Sequence, residues 1–323
     1  MVKTGSHIVA IGRLIRLPNL LIILLTQSLI RWSLISPLLK ANGMSLQMST
    51  SLFVMLMLAT MLVTAGGYVI NDYFDRKIDT VNNPKEVIVG RSISLRHTMT
   101  IHLVLTTLGI LLGIYVAWAT DFIVLGILFL LGSGILWFYS TTYKRQVLLG
   151  NLIVALMTGM VPMLVLLFEL PLQYRQYGSL LAAGSFNLSY IALWVSGFSG
   201  FAFILTLARE IIKDAEDLKG DTSYGRRTLP ATAGMTVSKA VVVCLYAITA
   251  LSLILIYLVY LPDRFTLIYI LVLLMIPLAT AIFLTLKAKT ARHFHVISFL
   301  TKSIMITGLL YTLLVHYIVQ HYS

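Results

Sequence analysis

"TSLFVMLMLATMLVTAGGYVINDYFDRKID", residues 50–79, sets a long apolar run against three aspartates, Asp72, Asp75 and Asp79, placed where the run stops. About 20 such residues, rising 1.5 Å each as a helix, cover the hydrocarbon core of a bilayer. The rest of the 323-residue chain repeats the pattern: it is 59% hydrophobic and only 11% charged, against roughly 25% in an ordinary soluble domain. These values exclude a soluble globular protein. Nine runs long enough to span are read at about 17–38, 50–70, 98–118, 121–140, 148–169, 188–208, 238–260, 265–286 and 299–320. Backbone groups in lipid must be satisfied within the segment, so helices are the reading of runs this long. An all-α polytopic membrane protein is predicted, with residues 1–323 as a single intramembrane domain.

The formal net charge is +12. In a soluble protein that would point to nucleic acid. Here the basic residues lie between apolar runs, where they set orientation, and no nucleic-acid partner is expected. Lys40, Arg175 and Arg264 fall on one side and Arg31 lies within the first run. Every other Lys and Arg falls on the opposite side, Lys302 being placed at the start of the last run. The bias predicts an N-terminus on the cytoplasmic side of a plasma or cell inner membrane and a C-terminus outside. Arg31 is left to snorkel or pair. The outer stretch 170–187 is only mildly polar and is expected to lie along the interface. Cys244, the one cysteine, sits in an apolar run and reads as a buried, inert thiol.

Acids are scarce, 12 in all, and all but Asp121, Glu169 and Asp263 fall in two segments. The second segment, "REIIKDAEDLKGD" (209–221), carries Asp214, Asp217 and Asp221 at the spacing of Asp72, Asp75 and Asp79. Both sets follow an even-numbered run on the inner side. On a helix continued past the membrane, positions i, i+3 and i+7 share one face, so each set predicts a column of carboxylates. Like charges on one face repel. A solvated, charge-mixed loop is the plain alternative, with Arg76, Lys77, Lys213 and Lys219 interleaved. Two copies at matched spacing on one side argue for hard-cation binding instead. Mg2+ takes one or two carboxylates and fills its shell with water and phosphate oxygens. Two facing columns would grip a diphosphate through bridging ions. Lys85, Arg91, Lys144, Arg145, Arg226 and Arg227 lie on the same side as candidate phosphate partners, although positive-inside bias accounts for most of them.

Such a site at the mouth of a helical bundle fits an isoprenyl diphosphate, with an apolar tail and a charged head. Metal-bound diphosphate is a good leaving group, and its departure leaves an allylic cation. Aromatic faces attract cations. Tyr73, Trp137, Phe138, Tyr139 and Tyr143 are candidates, with the interfacial aromatic belt as the competing explanation.

"NDYFDRKIDTVNNP" (71–84) and "REIIKDAEDLKGD" resemble the two aspartate-rich motifs of the UbiA superfamily of intramembrane prenyltransferases. The resemblance covers essentially the whole chain. "RLPN" places Arg16 and Asn19 where the family has an Arg and an Asn entering its first helix, and "FYSTTYKRQVLLGN" (138–151) is similar to the segment after its fourth. The resemblance implies a nine-helix bundle around a central lipid-accessible cavity. It implies Mg2+ held by Asp72, Asp75, Asp79, Asp214, Asp217 and Asp221. Asn71 would join the first set on the diphosphate. Asn19, Arg91, Lys144, Lys213 and Asn151 would bind substrate, and Tyr139 would lie near the reacting carbon. The second motif is most similar to archaeal-type digeranylgeranylglyceryl phosphate synthases. That implies a geranylgeranyl diphosphate donor and a prenylglyceryl phosphate acceptor. Homogentisate and chlorophyll prenyltransferases share part of it. The basic, Pro-rich "RPIPSG" of many members is replaced by "KEVIVGRSIS" (85–94), with Glu86. The acceptor therefore stays open between a prenylglyceryl phosphate lipid and an aromatic or quinone precursor.

A transporter is the rival class, since intramembrane charges mark ion paths. A carrier would place its acids near the midplane, and here they cluster at helix ends on one side. The seven histidines show no pairing with acids or cysteine that suggests a transition-metal site.

Overall fold

The computed structural model describes residues 4–82, 84, 87–182 and 187–322. Among these residues there is no strand, only an isolated bridge between Val89 and Ile93. Nine of the described helices are long and apolar enough to cross a bilayer: Leu17–Lys40, Thr50–Val81, Leu95–Ala119, Ile123–Thr141, Leu149–Ala182, Ser189–Glu216, Gly234–Tyr260, Arg264–Lys287 and Ala291–His321. They are called the first to ninth spans below. The protein is an all-α integral membrane protein, as the hydropathy pattern predicts.

Three span ends depart from that pattern. The helix of the second span runs on to Asn82, so Asp72, Asp75 and Asp79 all sit on helical backbone. The fifth continues to Ala182, so most of the stretch expected along the interface is helix, kinked at Tyr177 (φ −114°, ψ 18°). Leu172 and Gln173 are buried there, and that packing carries the helix past the end of its apolar run. The ninth begins at Ala291, which sets Lys302 about three turns inside a helix rather than at its start.

Prolines shape two spans. Ile30–Ile35 and Ile270–Met275 are π-helical, and each lies just before a proline, Pro37 and Pro277. A proline ring in regular α-helix clashes with the carbonyl four residues back, and one inserted residue relieves the crowding. The Ser36 N–H accordingly reaches the Arg31 carbonyl, and that of Ile276 reaches Leu271. Arg31 lies in the first of these stretches and is buried rather than snorkelling.

The chain forms two compact units. The first comprises Met1–Gln27, Leu46–Lys144 and Leu164–Phe186. Here the second, third and fourth spans meet through small residues, which let helices approach closely in lipid. A Cβ on Gly113 would lie 2.3 Å from the Phe129 ring, and one on Gly109 would lie 2.9 Å from the Val63 backbone nitrogen. A short helix, Thr4–Leu14, packs Ala10 and Leu14 against Val69, Val89 and Ile93. Glu169 is buried and accepts from the Gln47 N–H (2.5 Å), the Met48 N–H (3.3 Å) and the Gln173 amide (2.8 Å). It thereby fixes the turn that leads into the second span.

The second unit comprises Ser28–Ser45, Arg145–Met163 and Asn187–Ser323. Its sixth to ninth spans share a core that includes Leu205, Ile211, Val242, Leu278 and Ile297. Buried hydroxyls tie these helices together: Tyr246 bonds Thr301, Tyr311 bonds Thr266 at 2.8 Å, and Tyr269 donates to the Thr307 carbonyl at 2.7 Å. Cys244 is exposed on the seventh span, against expectation. Apolar neighbours in sequence do not imply burial in protein when the surroundings are acyl chains.

The Gly113 contact generates a test. Gly113→Val should overpack the third and fourth spans and destabilise the protein by about 1–3 kcal/mol. Thermal unfolding in detergent reads the shift, and Phe129→Ala in the same chain should recover part of it. An unchanged midpoint for Gly113→Val would contradict the packing.

Candidate functional site

The first aspartate motif rides on one unbroken helix, Thr50–Asn82, so its i, i+3 and i+7 spacing becomes a single face. Asp75 is buried, as is Lys144 on the short 3-10 turn Tyr143–Arg145 that follows the fourth span. The Lys144 ammonium lies 2.6 Å from Asp75 Oδ1 and 3.3 Å from Asn71 Oδ1. Burying two charges is costly unless they are paired and hydrogen-bonded, and this pair meets both conditions. Asp72 is met by Arg16, whose Nη2 lies 3.0 Å from Oδ1. Arg16 also stacks 4.8 Å over the Tyr68 ring and adopts a left-handed φ of 52° at the joint between the Thr4–Leu14 helix and the first span. A non-glycine residue pays strain for that conformation, and the Asp72 pair helps to hold it.

The second motif departs from the predicted column. The helix of the sixth span ends at Glu216, Asp217 leaves helical geometry (φ −90°, ψ 5°), and a new turn of helix covers Leu218–Ser223. Asp214 and Asp221 therefore sit on separate helical segments. Gly220, a poor helix former, was the available sign. Each acid is nonetheless placed by a specific contact. Asn151, at the start of the fifth span, donates to Asp214 Oδ2 at 2.7 Å. Asp221 is buried, 3.3 Å from Arg226 Nη1, and its carbonyl accepts the Arg226 N–H at 2.9 Å. Burial pushes the Asp217 carboxyl up to about 6, with Lys213 opposing and Asp221 and Glu216 reinforcing the rise. A carboxylate so poorly solvated gains from the arrival of a cation.

The remaining sequence candidates divide. Lys213 pairs with Glu210, 3.2 Å from both of its oxygens. Arg91 donates to the Pro84 carbonyl at 2.5 Å. Asn19 lies one turn into the first span, its N–H on the Arg16 carbonyl at 2.8 Å. Tyr139 is half-buried on the fourth span, and Asp79 is half-buried on the last turns of the second. Lys85 and Glu86 lie outside the described residues. Of the aromatic candidates, Tyr73 and Trp137 are joined through Phe74, at ring separations of 5.3 and 5.9 Å. Phe74 and the Arg16 pairing are what sequence reasoning missed, although Phe74 stands inside the motif and Arg16 inside "RLPN".

Among the described residues no three or more His, Cys, Asp or Glu side chains converge in a ready-made metal cage. Mg2+ does not require one, since it binds through one or two carboxylates plus water and phosphate oxygens. The donor set fits that ion. All the candidate donors are hard oxygens, and those of Asn71 and Asp75 converge on one cation, the Lys144 ammonium.

Comparison with known proteins agrees with this fold and these motifs. A sequence profile of the UbiA prenyltransferase family matches residues 34–304. The digeranylgeranylglyceryl phosphate synthase of Methanosphaera stadtmanae is 29% identical over 243 residues, 75% of this chain and 79% of that one. The corresponding synthase of Methanothermobacter thermautotrophicus is 32% identical over 221 residues, 68% of each chain. A solved digeranylgeranylglyceryl phosphate synthase shares the fold with a TM-score of 0.64 at 22% identity, over 96% of this chain and 98% of that one. A UbiA homolog from Archaeoglobus fulgidus, bound to GPP and Mg2+, does so with a TM-score of 0.56 at 16% identity, over 94% and 99%. The chain belongs to the UbiA prenyltransferase family and is a membrane-embedded prenyltransferase.

Proposed function

We propose that the protein transfers a geranylgeranyl group from its diphosphate to a hydroxyl of a prenylglyceryl phosphate lipid, with Mg2+ as cofactor and the whole chain acting as one domain. The observation that carries this reading is the convergence of Asn71 and Asp75 oxygens on a cation position inside a buried, aspartate-rich helix face. The relatives named digeranylgeranylglyceryl phosphate synthase support the choice of acceptor. Charge bias supports a cytoplasmic N-terminus and active site, an outer C-terminus, and a cell inner membrane.

Asp72, Asp75 and Asp79 would hold Mg2+ as one set, to which Asn71 adds an oxygen, and Asp214, Asp217 and Asp221 would hold Mg2+ as the other. Bound Mg2+ neutralises charge that develops on the leaving diphosphate. Lys144, held between Asn71 and Asp75, would serve as a cationic partner of the diphosphate. Asn19 and Arg91 bind the same substrate, Lys213 adds a substrate-binding cation beside the second motif, and Asn151 keeps Asp214 oriented. The bond between the first prenyl carbon and the diphosphate oxygen breaks, its electron pair leaving with the diphosphate. Tyr139 faces the resulting allylic cation, where an aromatic ring contributes roughly 0.5–2 kcal/mol. The acceptor oxygen then bonds to that carbon and releases its proton to the departed diphosphate.

Two tests follow from these roles. Asp72→Asn and Asp214→Asn keep shape but remove charge, and each should lower diphosphate release from geranylgeranyl diphosphate by about 100-fold or more. Full turnover in both variants would sink the metal-site reading. Chelation of the purified protein should abolish transfer, and added Mg2+ should restore it. Run against an acceptor panel, the same assay should give product with a prenylglyceryl phosphate. Product with a quinone precursor alone would replace the proposed acceptor.

A further inference from the structure

The sixth span carries a second charged cluster, deeper than its aspartates. Arg209 Nη1 lies 3.2 Å from Glu210 Oε1, and Lys213 lies 3.2 Å from both Glu210 oxygens. The ninth span packs against the sixth and brings Lys302 within electrostatic reach of Arg209 and Lys213. Asp214, one turn above, is already bonded by Asn151 and belongs to the metal site. Arg209 and Lys213 thus pair with Glu210, and Lys302 lies within reach of both cations, a formal excess of two positive charges over Glu210 once Asp214 and Asp217, which also reach Lys213, are engaged by metal. Such an excess is expensive in lipid and marks an anion path or seat by default.

Hydroxyls frame the same place. Tyr246 of the seventh span bonds Thr301, the residue before Lys302, and its oxygen lies within reach of the Arg209 charge. Thr206 sits one turn below Glu210 on the same face and is 4% exposed. Its hydroxyl has no hydrogen-bond partner among the described residues. Thr249, Thr285 and Thr301 bond back to the carbonyl four residues earlier, which is the usual resort of a threonine in a span. Thr206 does not. Arg209 Nε is also buried without a partner. Buried donors left without an acceptor are costly, which favours a ligand that accepts from them.

We propose that Arg209, Lys213, Lys302 and Thr206 seat the phosphate of the acceptor lipid, and so select a phosphorylated acceptor over an aromatic one. This rests on the acceptor class proposed above. A phosphate monoester carries about −1.5 to −2 charges at neutral pH, which matches the excess. Arg and Lys bind it through charge-assisted hydrogen bonds without a metal, whereas the donor diphosphate is held through Mg2+ on the aspartates. Depth agrees as well. Five residues separate Arg209 from Asp214, an axial rise of about 7.5 Å. That spacing is on the order of a glycerol phosphate, with its hydroxyl toward the reacting carbon.

The test uses the full chain in detergent. Lys302→Met should raise the KM for prenylglyceryl phosphate by about tenfold or more, since a charged hydrogen bond is lost. The KM for geranylgeranyl diphosphate should stay unchanged. Preference for the phosphorylated over the phosphate-free acceptor should shrink by the same factor. Lys302→Arg, which keeps the charge, should recover part of the acceptor affinity that Lys302→Met loses, and Thr206→Val should shift only the acceptor KM, to a smaller degree. In EDTA, with no metal and no turnover, the phosphorylated acceptor should still raise the melting temperature of the wild type but not of Lys302→Met. A rise in donor KM alone would assign the cluster to the diphosphate. No change in either KM would leave it structural. Either result overturns the proposal. A wild type that prenylates only aromatic acceptors would instead overturn the functional reading itself, before any variant is made.

Discussion

A charge near the end of a membrane helix must find an opposite charge, because the surroundings solvate it poorly. The active face is arranged by that requirement. Asp75 and Lys144 meet at 2.6 Å with both side chains buried. Removing one partner of such a pair costs about 3–5 kcal/mol, because the other charge is left uncompensated. The pair therefore fixes the turn after the fourth span against the second. Arg16 does the same for the N-terminal helix through Asp72, and Arg226 pairs with Asp221 within the segment after the sixth span. Acids read as metal ligands also serve, before any ligand arrives, as anchors for the connecting segments.

How far these contacts could be read in advance depends on whether they are local. The face shared by Asp72, Asp75 and Asp79 was legible, because the helix is unbroken and periodicity alone sets it. The face expected of Asp214, Asp217 and Asp221 was not, because the helix ends between them. The partners Lys144, Asn151 and Arg16 stand 69, 63 and 56 residues from the acids they bond. Sidedness put them at the same end of the helices, but tertiary packing alone chose the pairs. Span ends were blurred for another reason. Hydropathy measures greasy length, while a helix stops where its hydrogen bonds and packing stop. The fifth span outlasts its apolar run by this logic, and the ninth begins before its own. That earlier start sets Lys302 about three turns inside a helix rather than at its start.

The two units solve the problem of association in lipid differently. Water gives no hydrophobic drive there, so helices adhere by close packing and by polar contacts. The first unit relies on glycines, with Gly109 and Gly113 leaving no room for a Cβ. The second relies on aliphatic bulk and on hydroxyl pairs such as Tyr246 with Thr301 and Thr266 with Tyr311. Paired hydroxyls are satisfied and inert. Thr206 differs from Thr249, Thr285 and Thr301 of the neighbouring spans, each of which bonds back to a carbonyl four residues earlier.

Two anions enter a prenyl transfer to a phosphorylated acceptor, and they pose different problems. The diphosphate must leave, so its binding should strengthen as charge grows on it. Metal ions provide that, and carboxylates are needed to hold them. The acceptor phosphate only has to stay, so fixed cations suffice and a metal there would add nothing to the rate. On the proposed reading the sixth span separates the two chemistries along its length: Asp214 near its end beside Lys213, and Arg209 more than one turn deeper, with Lys302 within reach of both cations. Glu210 lies between them and neutralises part of the cationic cluster. Without it, three bare cations would compete with Mg2+ for the diphosphate. With it, the remaining excess fits one phosphate monoester, which gives the second motif's neighbouring "RE" and "K" a reason to be where they are.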